Sequence, residues 1–158
     1  MGITKRLAGR KAYHNGKSFE DLVRIAGLRE NIHVIPMPLG MKRVGRKCIP
    51  VKTPFDMTLL LNGKAVFVDC KSFELSRLTY SMLTPHQVMS LRQIEATNHI
   101  AGYLVFFREC DRIVFFSASS LTTLTHGSGL GPEHGLNLGT ELDFKLSHLF
   151  TLDPWVQR

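Results

Sequence analysis

Cysteine is scarce in this chain of 158 residues, and the three present, Cys48, Cys70 and Cys110, are odd in number and far apart. They supply neither a disulfide framework nor the paired spacing of a zinc site, and a reducing compartment is their natural setting. Long apolar runs are missing as well: none reaches the ~18 residues that suggest a membrane span. The N-terminus is basic but lacks the apolar segment of a secretory signal. The expected location is cytoplasmic, with no membrane partner. Acidic residues are sparse in one region only. Residues 1–52 hold 12 Lys/Arg against 3 Asp/Glu, a net of +9, whereas residues 53–158 hold 8 against 10, a net of −2, which together give the +7 of the whole chain. Basic charge gathered into one third of a chain is the footprint of a polyanion binder, with nucleic acid the commonest polyanion; a plain solvated basic face is the alternative.

Length and an apolar content of 44% suit a single domain with a real core. Residues 1–14, with Lys5, Arg6, Arg10 and Lys11, read as a basic arm. From Lys17 to Glu30 the apolar positions follow the helical period, with Ser18 or Asn15 available as a cap and Glu20 and Asp21 in the first turn. Ile32–Pro36 reads as a short strand. The segment 36–52 is rich in proline, glycine and base, with Lys42, Arg43, Arg46 and Lys47 at its centre, and is expected to be an exposed loop or loose ribbon. Thr84, Pro85 and Gln87 open a helix that runs to about Asn98: threonine at the cap, proline at the first position, glutamine at the third. Strands follow at Gly102–Arg108 and Arg112–Ser117, then a small helix from Ser119 or Ser120 and a glycine-rich loop over His126–Gly139. The closing segment from Thr140 has no clear period. The order predicts an α/β protein with a mixed central β-sheet flanked by helices.

The chemistry concentrates in residues 54–71. Asn62-Gly63 between β-rich apolar runs is a strong hairpin signal, and a two-residue loop pairs positions whose numbers sum to 125. Asp56 and Asp69 then stand opposite one another, where like charges repel. Alternation puts Lys71 on the face of Asp69 and Cys70 on the other. A divalent cation between the carboxylates would remove the conflict. The alternative is a solvated Asp56 at the strand start, with Asp69 paired to Lys71 or a surface arginine. Two carboxylates holding Mg²⁺ or Mn²⁺ beside a lysine have the parts needed for phosphodiester hydrolysis.

Pro54-Phe55-Asp56, twelve residues, then Asp69-Cys70-Lys71 resembles the pattern of the PD-(D/E)XK nuclease superfamily. Three neighbours in order narrow the likeness to Holliday junction resolvases of the RecU and Hjc type. Asn15-Gly16-Lys17-Ser18-Phe19-Glu20 is similar to their Gly-x-x-x-Glu helix start. The strand pair around Asn62 and Ser72 is similar to the Hjc type, and Leu83-Thr84-Pro85-His86-Gln87 to the His-x-His-Gln segment of RecU. The resemblance implies a restriction-endonuclease-like fold and a Mg²⁺-dependent, structure-selective endonuclease that cuts four-way DNA junctions as a homodimer. It implies Asp56, Asp69, Lys71 and Glu20 as catalytic residues, with Asp56, Asp69 and Gln87 at the metal. Lys5, Arg6, Arg10, Lys11, Lys17, Lys42, Arg43, Arg46 and Lys47 would contact DNA, the basic segment 36–52 standing where RecU carries a longer stalk. Another small nuclease of the superfamily (a nickase, flap or repair nuclease) and a non-catalytic DNA-binding accessory protein are the competing expectations. Asp69 stands where the family usually has glutamate, and Pro54 where RecU has threonine. Glu20 also suits a helix first turn without catalysis, and Gln87 also suits a capping box with Thr84. His86, and His126 with His134, are expected to ligate nothing.

Overall fold

A computed structural model describes residues 18–124 and 127–152. Lys5, Arg6, Arg10, Lys11, Lys17 and His126 lie outside the described residues. Helix α1 spans 18–29, and its buried Phe19, Val23 and Ala26 form the apolar stripe that the sequence period predicts. Strand β1 (His33–Pro36) follows, then a separate two-stranded ribbon of β2 (Gly40–Val44) and β3 (Lys47–Val51). The central hairpin is β4 (Met57–Leu61) and β5 (Lys64–Phe73). Beyond it come β6 (Leu78–Thr79), α2 (Pro85–Glu95), β7 (Ile100–Phe107), β8 (Arg112–Ser117), β9 (Gly129–Leu130) and β10 (Leu136–Gly139).

Six strands form one mixed sheet in the order β1-β4-β5-β7-β8-β10, parallel between β5 and β7 and antiparallel elsewhere. The protein is therefore α/β, with an arrangement compatible with the restriction-endonuclease-like class. The hairpin keeps the predicted register from Met57↔Val68 to Leu61↔Lys64. Asn62 and Gly63 both take positive φ, 50° and 76°, which is the backbone a tight I′ turn requires. Met57, Leu59, Val66, Val68 and Cys70 meet α1 and the C-terminal segment on one face of the sheet. Phe55, Leu91, Tyr103, Val105 and Phe107 fill the other, under α2. The parallel pair buried between two apolar layers makes β7 wholly buried along its length. Gly102 belongs to this packing: a Cβ there would meet the Phe116 carbonyl oxygen.

Of the two forms its sequence allows, the 36–52 segment takes the exposed ribbon, Val44 pairing with Lys47 around Gly45 at φ 62°, with every strand residue exposed. The described part of the glycine-rich segment, 127–139, differs from its reading as a plain loop, since its end supplies β10, whose Leu136 pairs with Phe115 at the sheet edge. The periodicity is too short there to announce a strand. The closing segment holds a 3₁₀ helix, Leu146–Thr151, tied to α1 by Glu30, whose carboxylate accepts the backbone N–H groups of Leu146 and Ser147 at 2.8 and 2.9 Å. Among the described residues no helix is long and apolar enough to cross a membrane.

Candidate active site

The site forms where the hairpin's open end meets the start of α2. Asp56 lies one residue before β4, in a bend, so it stands just beyond the last ladder pair instead of within it. Its backbone N–H donates to Val68 at 3.0 Å, and its carbonyl accepts from Met37 at 2.8 Å. Its carboxylate Oδ2 accepts the Cys70 N–H at 2.8 Å, a charge-assisted bond that fixes the side chain against β5.

Asp69 is 0% exposed, the one charged residue buried among the described residues. Lys71 Nζ stands 2.8 Å from its Oδ2, while Gln87 Nε2 donates to its Oδ1. Lys71 Nζ also donates to Gln87 Oε1 at 3.3 Å, closing a three-membered network. The Lys71 ammonium is thus the group that compensates the charge at Oδ2. Burial, then the Asp56 charge, push the Asp69 carboxyl up to about 7 against the opposing pull of Lys71. The two carboxylates are therefore close enough to feel one another, although Asp56 has left the ladder.

Gln87 settles an alternative that the sequence leaves open. Thr84 does cap α2, with Pro85 at the first turn, but makes no side-chain capping bond. Gln87 turns to Asp69 and Lys71 instead of closing a capping box, because a buried carboxylate is a stronger acceptor partner than an exposed backbone end. His86, on the same turn, is exposed.

Tyr103 is a member of the site that sequence reading misses. The parallel register sets it beside Asp69, and Lys71 Nζ lies 5.7 Å from its ring centroid. Its hydroxyl is buried with no hydrogen-bond partner among the described residues, and burial, then Asp69 and Asp56, hold it well above the usual phenol range. No sequence signal could have found it, since parallel pairing through a crossover helix leaves no local pattern.

Cys70 sits in the core on the opposite face, as alternation predicts, and its thiol is pushed up by burial first and then by Asp56, Asp69 and Glu20. That makes it inert as a nucleophile. Glu20, in the first turn of α1, is near enough to contribute to that shift. Lys42, Arg43, Arg46 and Lys47 all stand exposed on the ribbon.

Among the described residues no group of three or more His, Cys, Asp or Glu side chains converges. The acidic oxygens brought together are those of two carboxylates, a net −1 once Lys71 is counted, while the Gln87 amide turns its nitrogen to Asp69 and its oxygen to Lys71. Two carboxylates are as many protein donors as a Mg²⁺ ion ordinarily takes, water and phosphate filling the rest of its octahedron. No protein-family model matches the chain and no curated protein matches it, so the likeness to the junction resolvases rests on these residues alone.

Proposed function

We propose that this protein is a Mg²⁺-dependent, structure-selective DNA endonuclease acting on four-way junctions, with Mn²⁺ as a substitute metal. The observation that carries the reading is Asp69 buried without exposure, flanked by Asp56 and held by Lys71 and Gln87. A buried carboxylate with a second, half-buried one beside it is costly for stability and has a use if a cation joins them. Asp56 and Asp69 would hold that ion, with the Gln87 amide beside them; bound there, it polarises a phosphate and lowers the pKa of a water.

The chain's own groups divide the remaining work. Lys71, 23% exposed at its side chain, faces outward from the network and can meet the charge that develops on the scissile oxygens. The Cys70 N–H holds Asp56 in one orientation, and Tyr103 walls the ammonium from the core side. The ribbon and the basic N-terminal residues supply phosphate contacts, which position DNA without reading its sequence. Symmetric cutting of a four-way junction needs two such sites, hence a homodimer.

The test is cleavage of synthetic four-way junction, duplex, flap and single strand with and without Mg²⁺. Junction-preferring, metal-dependent nicking supports the reading. Preference for a flap or for linear DNA would make the protein a different nuclease of the same chemistry, and binding without any cleavage would leave a DNA-binding accessory protein.

A further inference from the structure

Between the foot of the ribbon and the start of α2 lies a groove of about 350 Å³. Its lining is apolar at Leu39, Pro50 and Val51 and polar at Lys52, Thr53, Thr84 and Gln87. Gln87 is the residue that binds both Asp69 and Lys71, so the groove and the acidic cluster share a side chain. Resting on the nuclease reading above, we propose that this groove holds one nucleotide of the strand being cut, unstacked from its neighbours, beside the reacting phosphate.

Three observations choose that occupant. The apolar part of the lining is uncovered, Leu39 being 75% and Val51 45% exposed, which costs a folded ribbon free energy unless something apolar covers it. A nucleobase does so with its flat face, whatever its sequence. The polar part of the lining holds one cation, Lys52, and two hydroxyls, with Thr84 making no side-chain capping bond to its own helix, so it complements a phosphate joined to that base. The volume lies near the lower end of the roughly 300–1,000 Å³ of small-molecule sites, which suits one nucleotide and excludes a duplex. Specificity follows from that fit. A base can enter only where stacking is already interrupted, as at a branch point, flap or single strand, so intact duplex is disfavoured without any contact to base edges.

The probe is thymidine 3′,5′-bisphosphate, compared with inorganic phosphate, added to the metal-free protein while the methyl signals of Leu39 and Val51 are followed by NMR. Saturable shifts of both residues with the bisphosphate, and none with phosphate at equal concentration, are expected. Leu39→Ser combined with Val51→Ser should weaken bisphosphate binding about ten-fold, the loss of apolar contact area alone. Both side chains are exposed, so the fold should persist, and the spectrum itself reports it. Equal shifts from inorganic phosphate, or bisphosphate shifts confined to other residues, would overturn the proposal. Junction cleavage in Mg²⁺ is measured separately on the unaltered chain. Cleavage without methyl shifts removes the groove and keeps the nuclease; methyl shifts without cleavage keep the nucleotide site and remove the nuclease.

Discussion

Gln87, in the first turn of α2, donates from Nε2 to Asp69 Oδ1 and accepts from Lys71 Nζ at 3.3 Å, so a single amide bridges an acid and a base two residues apart on β5. Its donor side favours the ionised carboxylate, and its acceptor side holds the ammonium in place. Gln87→Ala should therefore lower metal-dependent cleavage about 10- to 100-fold, as for other groups that orient a metal ligand. It should also move the acidic limb of the pH–rate profile upward, because the Asp69 carboxyl loses a bond that favours its charge. A limb that stays in place would show that the amide serves packing only.

Asp56→Asn and Asp69→Asn should each abolish Mg²⁺-dependent cleavage while leaving junction binding equal or stronger, since each removes a negative charge next to phosphates. Lys71→Ala should cut turnover about 100- to 1,000-fold with little change in affinity, given its place beside the developing charge. Single-turnover rates and binding titrations separate these outcomes. Full activity in either aspartate variant would refute the metal assignment, and an equal loss of rate and affinity on removing Lys71 would make it a phosphate anchor.

The raised Asp69 carboxyl has a signature in stability. Its ordinary value is 3.8 and its folded value about 7, so between those limits the folded state holds a proton that the unfolded chain has released. Stability must then fall as pH rises through that window. The metal-free protein should melt at a lower temperature at pH 8 than at pH 5.5, and Asp69→Asn should lose that dependence. Added Mg²⁺ should raise the melting temperature chiefly at pH 8, by mass action on the charged site. Thermal melts of both proteins on one pH series decide it; parallel curves would show that Asp69 does not titrate in this range.

The ribbon carries Lys42, Arg43, Arg46 and Lys47 on strands that are exposed throughout. Neutralising all four should flatten the salt dependence of DNA binding, because fewer counterions are released. It should also lower the ratio of junction to duplex affinity at one fixed salt concentration if the ribbon senses the branch. An unaltered ratio alongside weaker binding would leave it as a general phosphate anchor. The fold should survive, since among the described residues no ribbon strand residue is buried.

Much of this site is legible from local chemistry. Asn62-Gly63 sets a I′ turn, the turn sets the register, and the two-residue period of a strand then separates Asp69 and Lys71 from Cys70 before any tertiary contact is known. Thr84 and Pro85 mark the start of α2 in the same way, because capping is decided within one turn. What the sequence could not contain is which partner a side chain takes when two are within reach. Gln87 suits a cap as well as a carboxylate, and only the packing of α2 over β5 brings it to Asp69. Tyr103 stands 34 positions from Asp69 and meets it through parallel pairing across a crossover, a contact with no turn to set its register. The same holds at the sheet edge, where Leu136–Gly139 becomes a strand because β8 offers unpaired backbone groups to it. Turn chemistry and side-chain alternation act over a few residues and are written in the chain; burial, parallel register and the choice between competing hydrogen-bond partners depend on surfaces that exist only after folding.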